Sequence, residues 1–121
     1  MFKTIALLKT KPGLSREAFI DYYESTHVPL IRQCLPQIDG YRRNFVRWEG
    51  AVIAADTTAD FDVVTEMWYA DRAAFEAAMA LFAQPEVSRR IAEDEEHFLD
   101  RSKTRFFMVE ECTEASSGPS G

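Results

Sequence analysis

The sequence predicts an α+β fold of the ferredoxin-like kind, a βαββαβ chain whose four-stranded antiparallel sheet carries its helices on one face. Three observations predict it. Strand and helix patterns follow one another as β-α-β and again as β-α-β, so each helix crosses over between strands of one sheet, and the right-handed crossover rule leaves few other topologies. At 121 residues the chain is one domain by length, able to bury roughly two-thirds of the surface that its unfolded form exposes. The third and fourth strands are apolar on both sides, at Met67, Trp68, Tyr69, Phe106, Phe107 and Met108, whereas helices on one face leave the other bare. That uncovered face calls for a partner, most simply a second copy of the chain.

Phe2 to Lys9 is an apolar, β-compatible run stopped by Lys11-Pro12-Gly13, a first strand and its loop. Ser15 is a good N-cap and Glu17 suits the first turn of the helix that follows. On that helix Phe19, Tyr22, Tyr23, Thr26 and Leu30 share one face, with His27 at its edge. Pro29 lacks an N–H and crowds the preceding turn, so the helix is expected to break or kink around Thr26 to Val28, with a short second piece through Leu35. Asp39-Gly40 makes a turn into the second strand, Tyr41 to Trp48, where Arg43, Phe45 and Arg47 alternate with Arg42, Asn44, Val46 and Trp48 and the pattern leaves the inner face open. Gly50 to Asp60 is small and polar, a mobile connection able to cover a pocket mouth. Asp62 to Tyr69 is the clearest strand, with Val64, Glu66 and Trp68 on one side and Val63, Thr65, Met67 and Tyr69 on the other. Asp71 caps the next helix, whose stripe is Phe75, Met79 and Phe82; Pro85 restarts it, and Val87, Ile91, Asp94 and Phe98 then fall within a narrow arc. Arg105 to Glu111 is the last strand. The domain is expected to span residues 1–112, with 113–121 a flexible Ser/Gly/Pro tail.

Composition narrows the classes of function. A net charge of −6, with acids gathered at Glu93 to Glu96 and Glu110 to Glu114, disfavours nucleic acid, which needs a basic patch. The N-terminus lacks the layout of a signal peptide and no apolar run approaches a membrane span, so a soluble cytoplasmic protein is expected. Cys34 and Cys112 lie far apart with no C-x-x-C, which argues for reduced thiols rather than a disulfide framework.

The run Phe19-x-x-Tyr22-Tyr23-x-x-x-His27-x-Pro29-Leu30, the later Asp62-x-x-x-Glu66-x-Trp68-Tyr69 and the segment Asp94-Glu95-x-x-Phe98-x-Asp100 resemble an EthD domain protein of the dimeric α/β-barrel superfamily. The resemblance extends to about Glu111. It implies a homodimer whose two sheets meet face to face as a barrel, with a pocket in each subunit between sheet and helices. Superfamily relatives include polyketide cyclases, muconolactone isomerases, cofactor-free monooxygenases, dehydratases and haem enzymes, so the likeness licenses a range of reactions.

The candidate site gathers at Tyr22 to Leu30 and on the second helix. His27 suits a general base or acid, since imidazole titrates near neutral pH; the alternative is that it bonds backbone freed at Pro29. Tyr22 and Tyr23 are either packing or pocket wall, and Tyr23, one turn from His27, is the one suited to stabilise oxyanion charge. Asp94 interrupts an apolar stripe, where a carboxylate needs a partner such as His27, Arg90 or an arginine of the sheet, or else a share in proton transfer. His97 is a second acid or simply exposed. Trp68, Met79 and Phe82 complete an apolar wall for a small hydrophobic substrate, with Tyr22 beside them. No metal is expected, because no spacing of the H-x-x-E or H-x-H kind is present. No cofactor is expected either: there is no C-x-x-C-H, and although Trp68 and Asn44 are residue types used by haem-degrading relatives, no motif places an axial histidine. The expected function is cofactor-independent acid–base chemistry on a hydrophobic ring or carbonyl metabolite, as a lyase (dehydratase), cyclase or isomerase. The alternatives are a non-catalytic accessory protein that binds a hydrophobic ligand, and a cofactor-free monooxygenase.

Overall fold

The computed structural model describes residues 1–114, so most of the expected tail lies outside the described residues. Strands β1 (Phe2–Leu8), β2 (Ile38–Phe45), β3 (Val63–Tyr69) and β4 (Arg105–Val109) form one antiparallel sheet in the order β2-β3-β1-β4, the ferredoxin-like arrangement. Between β1 and β2 run α1 (Arg16–Tyr22), a π-helical turn (Tyr23–His27) and α2 (Val28–Cys34). Between β3 and β4 run α3 (Arg72–Phe82), α4 (Pro85–Glu95) and a 3-10 turn (Arg101–Lys103).

The caps are where the sequence puts them. Ser15 accepts from the Ala18 N–H, Asp71 accepts from the Ala74 N–H, and Pro85 occupies the first turn of α4, where its missing N–H costs nothing. The first helix differs from expectation at Pro29. The backbone stays right-handed helical through the proline, and the Val28 N–H reaches back to the Tyr23 carbonyl, the i→i+5 pattern of a π-bulge. The wider turn absorbs the ring that would otherwise have kinked the helix. It also moves the buried face. A regular helix of about 3.6 residues per turn drifts steadily when sampled every fourth position, but the wide turn offsets that drift, and Phe19, Tyr23, His27 and Ile31 are all buried. His27 therefore lies in the middle of the inward face rather than at its edge, and Thr26 is exposed.

Register assigns the two faces of the sheet. Leu8 opposes Val63, Ala6 opposes Thr65 and Thr4 opposes Met67, and this side meets the helices. The other side carries Ile5, Leu7, Val64, Glu66, Trp68, Arg42, Asn44 and Phe107. Strand β2 starts earlier and ends earlier than its alternation suggested, because a bulge between Ile38 and Gly40 resets its pairing with β3. Gly40 lies under the Trp68 indole, where a β-carbon would stand 2.9 Å from Trp68 Cε3.

Phe98, just beyond α4, anchors the core at 0 % exposure. Its ring centroid lies 4.9 Å from His27, 5.1 Å from Tyr22, 5.4 Å from Tyr23 and 5.7 Å from Phe19. Cys34 is buried and Cys112 exposed, both free. Among the described residues no helix is long and apolar enough to cross a membrane.

Candidate functional site

The helices and the inner sheet face line an open cavity of about 650 Å³, within the usual range for small-molecule sites, which runs from about 300 to 1,000 Å³. Ile31 and Leu35 from α2 and the residue after it, Met79 and Phe82 from α3, Ile91 from α4 and Met67 from β3 make its apolar wall. Its polar groups are few: His27, Tyr23, Tyr41, Thr65, and, from α4 and the segment that follows, Glu95, Arg101, Ser102 and Thr104.

His27 is 4 % exposed and Asp94 9 %. The imidazole Nδ1 lies 2.7 Å from Asp94 Oδ2, and the Tyr22 hydroxyl donates to Asp94 Oδ1 at 2.7 Å. Both carboxylate oxygens are thus satisfied, which offsets the several kcal/mol that burying an unpaired carboxylate costs. A carboxylate accepts, so Nδ1 carries the hydrogen, and in the neutral ring Nε2 presents its lone pair. No hydrogen bond among the described residues uses Nε2, and the ring lines the cavity. Burial and the adjacent Asp94 carboxylate push the Tyr22 phenol up to about 12.

A second polar cluster lies on the sheet side. The Tyr23 and Thr65 hydroxyls are 2.6 Å apart, and the Tyr41 hydroxyl donates to Tyr23 over 3.4 Å. Burial raises the pKa of both phenols, that of Tyr41 well above its ordinary value, so both are neutral donors at neutral pH. At the cavity wall Arg101 Nε pairs with Glu95 Oε1 at 3.1 Å.

The structure brings His27, Asp94, Tyr23, Tyr22, Met79 and Phe82 together and separates two residues from them. Trp68 stands on the opposite face of the sheet, over Gly40, and Met67 takes the cavity position, because successive strand residues alternate sides. His97 is exposed and rests against the Tyr22 ring at 5.8 Å, outside the cavity. The chain leaves helical geometry after Glu95, and Phe98 takes the inward position. Asp94 and Tyr22 stand behind His27 and are not part of the cavity wall. The Gly50 to Asp60 connection does not reach the cavity. Sequence reasoning did not single out Tyr41, Thr65 or Arg101, and took Glu95 only as part of the Asp94-Glu95 motif. For Thr65 the signal was present: a hydroxyl among Val63, Met67 and Tyr69 on one strand face is the same kind of interruption that singled out Asp94. Among the described residues no group of three or more His, Cys, Asp or Glu side chains is placed to hold a metal ion.

Solved structures share this fold. An EthD family protein from Bacillus halodurans superposes with a TM-score of 0.61 at 21 % identity, over 93 % of this chain and 100 % of its own. HapK from Hahella chejuensis gives 0.63 at 15 % identity, over the full length of both chains. A dimeric protein of unknown function and ferredoxin-like fold from Bacteroides fragilis gives 0.53 at 8 % identity, over 91 % of this chain and 95 % of its own. No curated protein matches the sequence. The model of the EthD domain matches residues 11–102, most of the chain, and the protein belongs to the EthD domain family.

Proposed function

We propose that the protein is a small-molecule enzyme that moves protons on a hydrophobic ring or carbonyl compound, as a lyase or dehydratase, a cyclase or an isomerase. One observation carries this reading: His27 lines an apolar cavity with its Nδ1 held by a buried carboxylate at 2.7 Å, while its Nε2 has no hydrogen-bond partner among the described residues. Nε2 takes a proton from the substrate. The imidazolium that forms is stabilised by Asp94, and the same nitrogen returns the proton to another carbon or to a departing hydroxyl. Asp94 keeps the ring in the productive tautomer, and Tyr22 fixes the carboxylate from its far side. His27 and Asp94 are themselves buried, so their charge interaction is worth more than in solution. The imidazole carries the proton itself, and no cofactor enters the step. The active unit in this reading is a homodimer, with a second copy over the outer sheet face.

Deuterium exchange into an enolisable bicyclic ketone, 2-tetralone, followed by NMR in D₂O, tests the reading. The protein is expected to accelerate exchange over buffer, and His27→Ala to lower that acceleration by roughly 10²- to 10⁴-fold. Reversible binding of the ketone with exchange at the buffer rate would instead mark a carrier of hydrophobic ligands.

A further inference from the structure

Tyr23, Tyr41 and Thr65 all line the cavity, at 1 %, 9 % and 0 % exposure, and their three hydroxyls adjoin one another. Three hydroxyls carry three protons. The two contacts between them, Tyr41 to Tyr23 and Tyr23 with Thr65, use two, and no other described residue bonds any of the three side chains. If Tyr23 donates to Thr65, the Thr65 proton is left over. If Thr65 donates to Tyr23, the Tyr23 proton is left over, because its oxygen then accepts from both neighbours. Either way a buried cluster that lines the cavity holds one donor without an acceptor, and an unmade buried hydrogen bond is costly.

We infer that the cavity selects apolar molecules bearing an acceptor oxygen, a ketone, ester or phenolate, and seats that oxygen on the Tyr23–Tyr41–Thr65 cluster. The inference rests on the acid–base reading only in sharing its cavity. The Tyr23 and His27 ring centroids are 5.1 Å apart, so one small molecule spans both. An oxygen on the cluster and a hydrogen near Nε2 then belong to the same carbonyl compound. The hydroxyls receive the charge that develops on oxygen as the adjacent carbon loses its proton. Tyr41 and Thr65 are thereby specificity-determining residues from β2 and β3, supplied by the sheet, while the proton carrier is supplied by the helix.

Two ligands with nearly the same carbon frame test this: 2-tetralone and tetralin, the hydrocarbon without its oxygen. Calorimetry on the wild-type protein is expected to show the ketone bound roughly tenfold more tightly, the factor that one neutral hydrogen bond supplies. The carbonyl stretch of bound 2-tetralone is expected to fall below its frequency in hydrocarbon solvent. Replacing every hydroxyl by an apolar group of the same shape, in Tyr23→Phe/Tyr41→Phe/Thr65→Val, leaves no donor orphaned and is expected to fold; it is expected to bind both ligands equally and to restore the hydrocarbon frequency. Equal affinities in the wild type, an unshifted carbonyl stretch, or no binding of either ligand at the limit of solubility would overturn the inference, whatever becomes of the triple variant. A ketone preference without exchange leaves the inference standing and removes the acid–base reading; exchange without a preference does the reverse.

Discussion

Asp94 is the residue on which the site turns, although it does not touch the cavity. It bonds His27 and Tyr22 at once, so its removal leaves a buried imidazole N–H and a phenol without acceptors. Asp94→Ala is expected to cost on the order of 1–3 kcal/mol in urea unfolding, the range for a buried donor left unpaired. Asp94→Asn keeps the volume but offers His27 an amide, which bonds either tautomer; it is expected to retain more stability than Asp94→Ala while losing proton-transfer activity. Equal stability of Asp94→Ala and wild type would mean that the pair is not formed in solution. The sequence pointed to Asp94 because a carboxylate in an apolar stripe is conspicuous, and it offered His27 among the partners. The pairing itself was not legible, since it joins residues on two separate helices.

At the level of elements, alternation and capping carried most of the information. The side-chain caps of α1 and α3, the proline at the start of α4 and the two-sided alternation of β3 follow from residue type and spacing. Which side of β3 meets the helices does not, and Trp68 was grouped with Met79 and Phe82 although its own alternation set it with Val64 and Glu66. The π-turn was equally hidden: Pro29 announces an interruption, but a kink and a widened turn satisfy the same missing N–H. The bulge that starts β2 brings a testable constraint. Gly40 faces Trp68 so closely that a methyl group would stand 2.9 Å from Cε3 of the indole and 3.4 Å from Cδ2. Gly40→Ala is expected to destabilise the fold by about 1–3 kcal/mol, the usual cost of overpacking, with a shift in tryptophan emission. Unfolding at the wild-type urea midpoint would show that the indole is free to move aside.

For the whole molecule, the tyrosines and the outer sheet face give two expectations. All four tyrosines of the chain have raised pKa values, chiefly through burial, with Tyr22 at about 12. A phenol whose proton the fold holds more tightly than the unfolded chain does contributes stability that is complete below pH 10 and is lost as pH rises through the folded-state values. Absorbance at 295 nm is therefore expected to stay flat through pH 10 and then to rise together with loss of the far-ultraviolet circular dichroism. A rise centred on pH 10 with the fold intact would contradict the buried placement.

The outer face combines exposed apolar surface with a built ionic cluster. Lys3 is 8 % exposed, with Nζ 2.7 Å from Glu66, 2.8 Å from Glu111 and 4.7 Å from the Trp68 ring centroid. Burial alone would lower its pKa, but the bonds to Glu111 and Glu66 outweigh it and the value rises. The lysine is therefore paired within its own chain and needs no partner. Phe107, 42 % exposed on the edge strand and opposite Ile5, has no such satisfaction, and it shares with Leu7 and Val64 a face that no helix among the described residues covers. A second copy that covers this face removes it from water, at about 25 cal/mol for each Å² of apolar surface. Sedimentation at micromolar concentration is expected to give twice the mass of the chain, and Phe107→Asp, which sets a charge on the apolar face that a second copy would cover, to give the mass of one chain with the circular dichroism preserved. Because the cavity opens on the other face of the sheet, the Phe107→Asp monomer is expected to bind 2-tetralone as the wild type does. A wild-type protein that sediments as one chain would leave the sheet bare and remove the second copy from the active unit.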